Sequence, residues 1–420
     1  MENLFIPIGG GNEIGASCYL YIVEGVKILI DSGIRFSKKE PFPDFDFLKA
    51  LAPELDAIVI THGHVDHCGS LHLLSSLYPE TPIYTTHETA QILSLMVEDA
   101  IKVRFIGSES PEEWREYKLL DEALSRVERR DFFDRIKVKG VEISLLPAGH
   151  ILGAASVGIY HGDGKVVYHT GDISLTPQET VGGAILPKGE ELSLLVSEAT
   201  YRYSKKRFNR EKSLRELYET IRETAHRGGK ILIPVFALGR AQEIILILSE
   251  GMKRGEIPPL TVYVDGLARE VTNIYENLLD RPIFNYYIQP APTYRGLSFE
   301  EACMENLREA DCILSTSGML MEGTPSFIYG KLLSKRRGSS IIMSGYLAEE
   351  SFGYKLLHDR KVLKEFKCDV KRHHLSAHAD GVELNRLIEE LNPKKVALVH
   401  GYPTKRSFKE HAHNREVVRF

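Results

Sequence analysis

The stretch THGHVDHCG, residues 61–69, decides how this chain reads, because six consecutive positions within it present His62, His64, Asp66 and His67. The apolar run AIVI before it (57–60) has the form of a buried β-strand, which puts the four side chains on the loop where that strand ends. Such a loop can aim alternate side chains at two neighbouring points. Imidazole nitrogen and carboxylate oxygen are zinc donors, and a His-x-His pair followed by an Asp-His pair is enough to start two metal sites. One histidine alone would be an ordinary core or surface residue; three with an aspartate at this spacing read as metal-binding.

At 420 residues the chain exceeds one ordinary core and implies two or three domains. A hydrophobic content of 43% with 26% charged residues is that of a soluble globular protein. No apolar run approaches the ~20 residues of a membrane span, and the start MENLFIPIGGG lacks the basic and apolar regions of a signal peptide, so the expectation is a cytoplasmic protein without membrane association. The five cysteines are scattered and form no Cys-x-x-Cys pair, which argues against a disulfide framework and against a thiolate zinc knuckle. Cys68 reads as a structural neighbour of the ligand cluster. With a net charge of −5 there is no global nucleic-acid footprint, so a polyanion would have to meet a local patch or the metals. YRYSKKRFNREK (201–212) is such a patch, its Arg202, Lys205, Lys206, Arg207, Arg210 and Lys212 interleaved with Tyr201, Tyr203 and Phe208; residues 335–337 and 371–374 are two more. Each reads equally as a solvated basic face or as a phosphate-contacting, base-stacking surface.

The N-terminal half alternates short apolar strands with polar turns, and several strands end in His, Asp or Glu, which describes a sheet whose strand ends converge on one rim. GGGNEIG (9–15) fits neither a dinucleotide nor a phosphate loop and reads as a turn into a hairpin. Residues 108–135, with the lone Trp114, have helical spacing through Leu119, Leu120, Ala123, Leu124 and Val127. From about Lys212 helices alternate with the strands ILIPVF, LTVYVDG, CILSTSGM and SSIIMSGY, the pattern of a parallel sheet. HHLSAHAD, a helix and KKVALVHGY then return to the character of the start. The middle is therefore an insertion: residues 1–202 and 373–420 form one discontinuous domain and 203–372 the inserted one. PAGH and HTGD add His150 and Asp172 at strand ends, and a carboxylate has two oxygens with which to span two cations.

Asp31 in LIDSG, the His-x-His-x-Asp-His cluster, His150 and Asp172 occur in the order of the motifs of the metallo-β-lactamase superfamily, which the chain resembles. Glu198 in SEATY, His378 in LSAHAD and His400 in LVHG extend the resemblance to its β-CASP nuclease branch, as do FALGRAQE, STSGMLMEG and SGYLAEESFG. Among that branch it looks most like the free-standing bacterial ribonucleases similar to the cleavage and polyadenylation specificity factor endonuclease. The resemblance implies an αββα sandwich with an inserted α/β β-CASP domain and two Zn2+ per chain. His62, His64 and His150 would hold one ion, Asp66, His67 and His400 the other, with Asp172 between them. Asp31 would orient a ligand histidine or, alternatively, cap its own turn.

The activity that the resemblance implies is that of a ribonuclease in RNA processing or decay, in which a bridging hydroxide attacks phosphorus and leaves a 5′-phosphate and a 3′-hydroxyl. His378, held by Glu198, would protonate the departing oxygen, with Asp66 as the third member of the catalytic set. Ser376, His378, Ser344 and Gly345 are the phosphate contacts it implies. Arg240 is either another or a structural ion-pair partner. Single-stranded RNA is the expected partner, and a homodimer is compatible with it. Two departures stand out: Glu-Ala-Thr-Tyr where the branch commonly has Glu-Ser-Thr-Tyr, and His-Gly-Tyr at 400–402 where His-Gly-Glu is usual, which bears on how His400 is held. A thioester or lactone hydrolase of the same superfamily and a silent RNA-binding subunit are the competing readings.

Overall fold

A computed structural model describes residues 2–35, 39–108, 110–162, 164–204, 207–405 and 407–420. The chain divides into two compact units, Met1–Arg207 with His378–Phe420, and Phe208–Ala377. Each crossing lies five residues beyond the sequence-expected boundary, for a local reason at either end. On the way out, Tyr203 stays bonded to His411 through its hydroxyl (3.0 Å). On the way back, His373 and Leu375 still donate their backbone N–H groups to Met343 and Ser344 of the inserted sheet (2.9 and 3.3 Å).

The first unit is two facing sheets with helices outside, the expected αββα sandwich. One sheet has seven strands in the spatial order Val418–Arg419, Leu4–Gly9, Cys18–Val23, Val26–Ile30, Ala57–Val59, Ile83–Thr86 and Val127–Arg130. Its first half is antiparallel, and it turns parallel where Val26–Ile30 meets Ala57–Val59. The other sheet has six, in the order Val396–Val399, Glu191–Glu198, Lys165–His169, Ala155–His161, Val141–Pro147 and Ile136–Val138. Alternation of side chains along each strand turns Tyr19, Tyr21, Ile28, Ile30 and Val59 from one sheet toward Ile143, Val157, Val167, Leu194 and Val399 from the other, and these make the buried core. Helix Gly381–Leu391 covers the outer face of the six-stranded sheet with Leu384, Leu387 and Leu391. Its start is fixed by an Asp380/Glu383 capping box.

Two local expectations are corrected. Asp66 and His67 lie not on an open loop but on a single helical turn, Val65–Cys68, with His64 at its N-cap. The helix of the charged excursion, Pro111–Leu124, is capped by Ser110 and stops before Val127, which instead pairs with Ile83 at the edge of the seven-stranded sheet. A β-branched residue beside an open sheet edge gains more from strand pairing than from helical spacing.

The second unit is a six-stranded, all-parallel sheet in the order Ile288–Pro290, Val262–Asp265, Cys312–Ser315, Ile231–Pro234, Ser340–Met343 and Asp369–Arg372. Leu232, Ile313 and Ile341 are buried on one face with Leu307, Tyr329 and Leu333. FALGRAQE, STSGM and SGYLAEE all leave the C-terminal ends of its strands and meet: a Cβ on Gly318 would lie 2.8 Å from the Phe236 nitrogen, and one on Gly345 would lie 3.2 Å from the Phe236 ring. Leu232→Ala is expected to destabilise this unit by about 2–5 kcal/mol, the cost of an unfilled core cavity. A denaturation midpoint unchanged from wild type would remove Leu232 from the core.

Candidate metal centre

Strand ends build the site. Val26–Ile30 and Ala57–Val59 run parallel in register, so Asp31, just past the first, lies beside Thr61, just past the second, and accepts from its backbone N–H at 2.8 Å. In the other sheet Glu198 is the last residue of its strand and pairs with Val399, which puts His400 at the same rim. Asp172 follows strand Lys165–His169 by three residues, and His150 follows Val141–Pro147 by three. Two of these residues have left-handed backbones, Asp31 at φ 65° and His400 at φ 51°. Such conformations cost about 1–3 kcal/mol for a residue with a side chain and persist only where neighbours impose them. Here Asp31 donates its N–H to Val59 (2.8 Å) and His400 donates to Gly10 (2.7 Å).

Two donor clusters result, buried except for half-buried His64 in the first and Asp66 in the second. His62, His64, His150 and Asp172 offer ligand atoms that lie within 4.8 Å of one another, and Asp66, His67 and His400 do the same. In the first cluster His64 Nδ1 is 3.1 Å from His62 Nε2 and 3.1 Å from His150 Nε2. Neutral imidazoles have one donor and one acceptor nitrogen each, so three nitrogens converging at that distance suit one shared cation better than one another. Asp172 faces both clusters. Its Oδ2 lies 3.6 Å from His62 and from His150, and its Oδ1 lies 3.3 Å from His400 and 3.5 Å from His67. Oδ1 is fully buried with no hydrogen-bond partner, an orphaned acceptor that a cation would satisfy. The donor set therefore fits two divalent ions.

Asp31 Oδ2 takes His67 Nδ1 at 2.7 Å, leaving Nε2 to face Asp66 and Asp172. Burial pushes the Asp31 carboxyl up, against the pull of His67, and burial likewise opposes protonation of His67 while Asp172, Asp31 and Asp66 drive its ring well above the usual histidine range. Asp66 and Asp172 are held below the usual carboxylate range: burial works against this, but Asp66 has His67 and His400 beside it, and Asp172 has His400, His67 and His378. The site is thus a dense field of imidazoles and carboxylates.

Next to it stands a third group, Asp172, Glu198 and His378. Glu198 is 1% exposed, and its two oxygens lie 3.0 and 3.1 Å from His378 Nδ1. Oε1 also accepts from the Ile173 N–H, which fixes the carboxylate. Burial works against charging His378, yet Glu198 and Asp172 raise it to about 9. The His378 ring contacts that of His150, with centroids 4.5 Å apart.

The other expected contacts belong to the second unit. Ser344 is buried with an unbonded hydroxyl, Gly345 follows it, Ser376 lies near the end of the unit, and Arg240 is a 7% exposed residue opening helix Arg240–Lys253. The basic stretch 201–212 has structural employment: Arg210 pairs with buried Glu243, Phe208 stacks on His374 and Arg202 bonds Asn385. Lys205 and Lys206 fall outside the described residues. All five cysteines are buried free thiols, Cys68 donating to the Gly63 carbonyl. No helix among the described residues is long and apolar enough to cross a membrane.

Sequence reasoning missed the supports. Thr61 Oγ1 bonds both oxygens of Asp31 and lies 3.0 Å from His62 Nδ1, and Thr200 Oγ1 lies 3.1 Å from His400 Nδ1. Each adjoins a motif residue, Thr61 next to His62 and Thr200 two past Glu198. A hydroxyl beside a ligand was the only available signal.

Residues 11–197 match the family described as the metallo-beta-lactamase superfamily, 241–356 the Beta-Casp domain, and 364–418 the Zn-dependent metallo-hydrolase RNA specificity domain. The chain is 31% identical to Integrator complex subunit 11 of Danio rerio, with 96% of this chain and 69% of that one covered. The chain belongs to the β-CASP branch of the metallo-β-lactamase superfamily. It is an enzyme of that hydrolase class, and the divalent-metal binding of the superfamily agrees with its His/Asp clusters. Two other β-CASP relatives come from Methanocaldococcus jannaschii, both 31% identical: transcription termination factor FttA (95% of this chain, 67% of that) and an RNase J-like protein (94% and 91%). A crystal structure of a protein of unknown function from Enterococcus faecalis shares the fold at a TM-score of 0.61, with 14% identity over the full length of both chains.

Asp31→Ala is expected to weaken divalent-metal binding about 10–100-fold by freeing the His67 ring. Competition with a chromophoric chelator measures this, and wild-type affinity would reduce Asp31 to a turn cap.

Proposed function

We propose that this β-CASP enzyme is a cytoplasmic ribonuclease that cuts phosphodiester bonds of single-stranded RNA in RNA processing or decay, with two zinc ions per chain. His62, His64 and His150 would hold one ion, Asp66, His67 and His400 the other, and Asp172 would be shared. The observation that carries the proposal is Asp172, whose two oxygens face different donor clusters while one of them has no hydrogen-bond partner. Zinc is favoured because imidazole nitrogens predominate among the donors, with carboxylate oxygens completing each set. RNA is favoured by the match of residues 364–418 to an RNA specificity domain and by the relative named as an RNase J-like protein. When bound, the ions would supply Lewis acidity to the phosphodiester and acidify a water so that hydroxide is available near neutral pH.

The remaining work falls to side chains. His378, gripped at Nδ1 by Glu198, would hand a proton from Nε2 to the departing 3′ oxygen, which is a poor leaving group without one. The Glu198 carboxylate fixes the ring's orientation and favours its charged form. Asp66, bonded to His400 at 3.2 Å, holds that ring in place as well as offering an oxygen of its own. The products would be a 5′-phosphate and a 3′-hydroxyl. Ser344, Gly345, Ser376 and Arg240 are assigned to phosphate contacts in the second unit, and the chemistry uses no 2′-hydroxyl.

Zinc-loaded protein incubated with single-stranded RNA labelled at either end is expected to cut it and leave 5′-phosphates, with the ladder separating internal from terminal cleavage. His64→Ala and Asp66→Ala should abolish cutting with the fold retained, and a chelator should do so reversibly. Intact RNA with turnover of a thioester control would overturn the proposal in favour of a small-molecule hydrolase. His378→Ala should keep its zinc and lose about 10²–10⁴ in rate; wild-type turnover would end its role as proton donor.

A further inference from the structure

The glycine-rich turn GGGNEIGAS, residues 9–17, has no part in the chemistry above, yet its backbone touches two elements of the Asp66, His67 and His400 cluster. Ser17 donates its N–H to the carbonyl of Asp66 (2.9 Å), and Gly10 offers its carbonyl to the N–H of His400 (2.7 Å). These two ligands are 334 residues apart in sequence. The same Gly10 carbonyl takes the Tyr19 hydroxyl at 3.0 Å. Only glycine fits here: Gly10 has φ +71° and its Cβ would lie 2.5 Å from the Tyr19 hydroxyl, while a Cβ on Gly11 would lie 2.4 Å from the Ala412 carbonyl.

What locks the turn is one carboxylate. Glu13 takes two bonds from the Arg35 guanidinium (2.6 and 2.7 Å) and one from the Asn414 amide nitrogen (2.7 Å). The Asn414 oxygen in turn accepts from the Gly11 N–H at 2.9 Å. The turn is thereby tied to the segment after Asp31 and to the one beyond His400. The Ser17 hydroxyl also reaches the ligand cluster, 3.5 Å from His67 Nε2.

We infer that residues 9–17, locked by Glu13 between Arg35 and Asn414, position Asp66 and His400 and so set the affinity of one cation site selectively. Glu13 and Asn414 are positioning residues that touch neither ligand atoms nor substrate. The inference rests on the two-ion assignment above. His400 sits in a strained left-handed conformation, and a ligand held that way is lost when its support loosens.

The test is stepwise cobalt(II) and zinc(II) titration of wild type, Glu13→Ala, Asn414→Ala and His400→Ala against a competing chelator, with visible spectra of the cobalt forms and thermal melts. Wild type should take two ions tightly. Glu13→Ala and Asn414→Ala should each weaken one ion about 10–100-fold, keep the other within about twofold, and show the one-ion cobalt spectrum of His400→Ala. On RNA, kcat should fall with KM little changed. Equal weakening of both ions, or of neither, overturns the inference while leaving the two-ion assignment standing. A wild type that binds a single ion overturns both. Asn414→Ala, at a partly exposed position, decides the matter if Glu13→Ala does not fold.

Discussion

The parallel pairing of Glu191–Glu198 with Val396–Val399 is the constraint on which this site depends. It brings back to the first unit a strand that the chain reaches only after building a second, and its register, Glu198 against Val399, puts Glu198 and His400 side by side at one rim. A shift by one residue would turn every side chain of the returning strand to the opposite face and carry His400 away. The entropic cost of closing a loop grows only with the logarithm of its length, so an insertion the size of 208–377 is tolerated provided the pairing beyond it is strong. Helix Gly381–Leu391 supplies that strength by burying three leucines on the same sheet.

The rim concentrates charge that an apolar interior would not tolerate. Asp31, Asp66, Asp172 and Glu198 lie among His62, His64, His67, His150, His378 and His400, all buried but Asp66, His64 and His378, which are half-buried. Buried ionisable groups need partners, and several here find them: Asp31 in His67 and Thr61, Glu198 in His378 and Ile173. Asp172 Oδ1 lies near the rings of His400 and His67 but has no hydrogen-bond partner. Asp31 and Glu198 are thus satisfied by protein groups, whereas the candidate donors crowd mainly against one another.

The candidate donors were legible because His150, Asp172 and His400 come within three residues of a strand end and His62, His64, Asp66 and His67 crowd the loop and helical turn that follow Ala57–Val59. The architecture was legible through alternation in the first unit and α/β succession in the second. What escaped was set by three-dimensional proximity. Thr61 and Thr200 act through residues 30 and 200 positions away. Val127 continues a helical spacing, yet an open sheet edge claims it. The helical turn at Val65–Cys68 is too short to leave a periodic trace. The unit boundaries lie later than expected because Tyr203 is bonded within the first unit and His373 and Leu375 within the second.

The departure at Tyr402 bears on how His400 is secured. If residue 402 held that ring, a tyrosine in place of a glutamate would loosen it, but Tyr402 is 61% exposed. His400 is held from other directions: its N–H by Gly10, its ring by Thr200 and Asp66, and its neighbour Gly401 pressed so closely on Ala199 that a Cβ would lie 2.5 Å from the carbonyl. These restraints come from the N-terminal turn, from the end of Glu191–Glu198 and from helix Val65–Cys68, three elements already fixed by the sheets. His400, one residue past strand Val396–Val399, is therefore placed mainly by elements that precede the inserted unit in the chain.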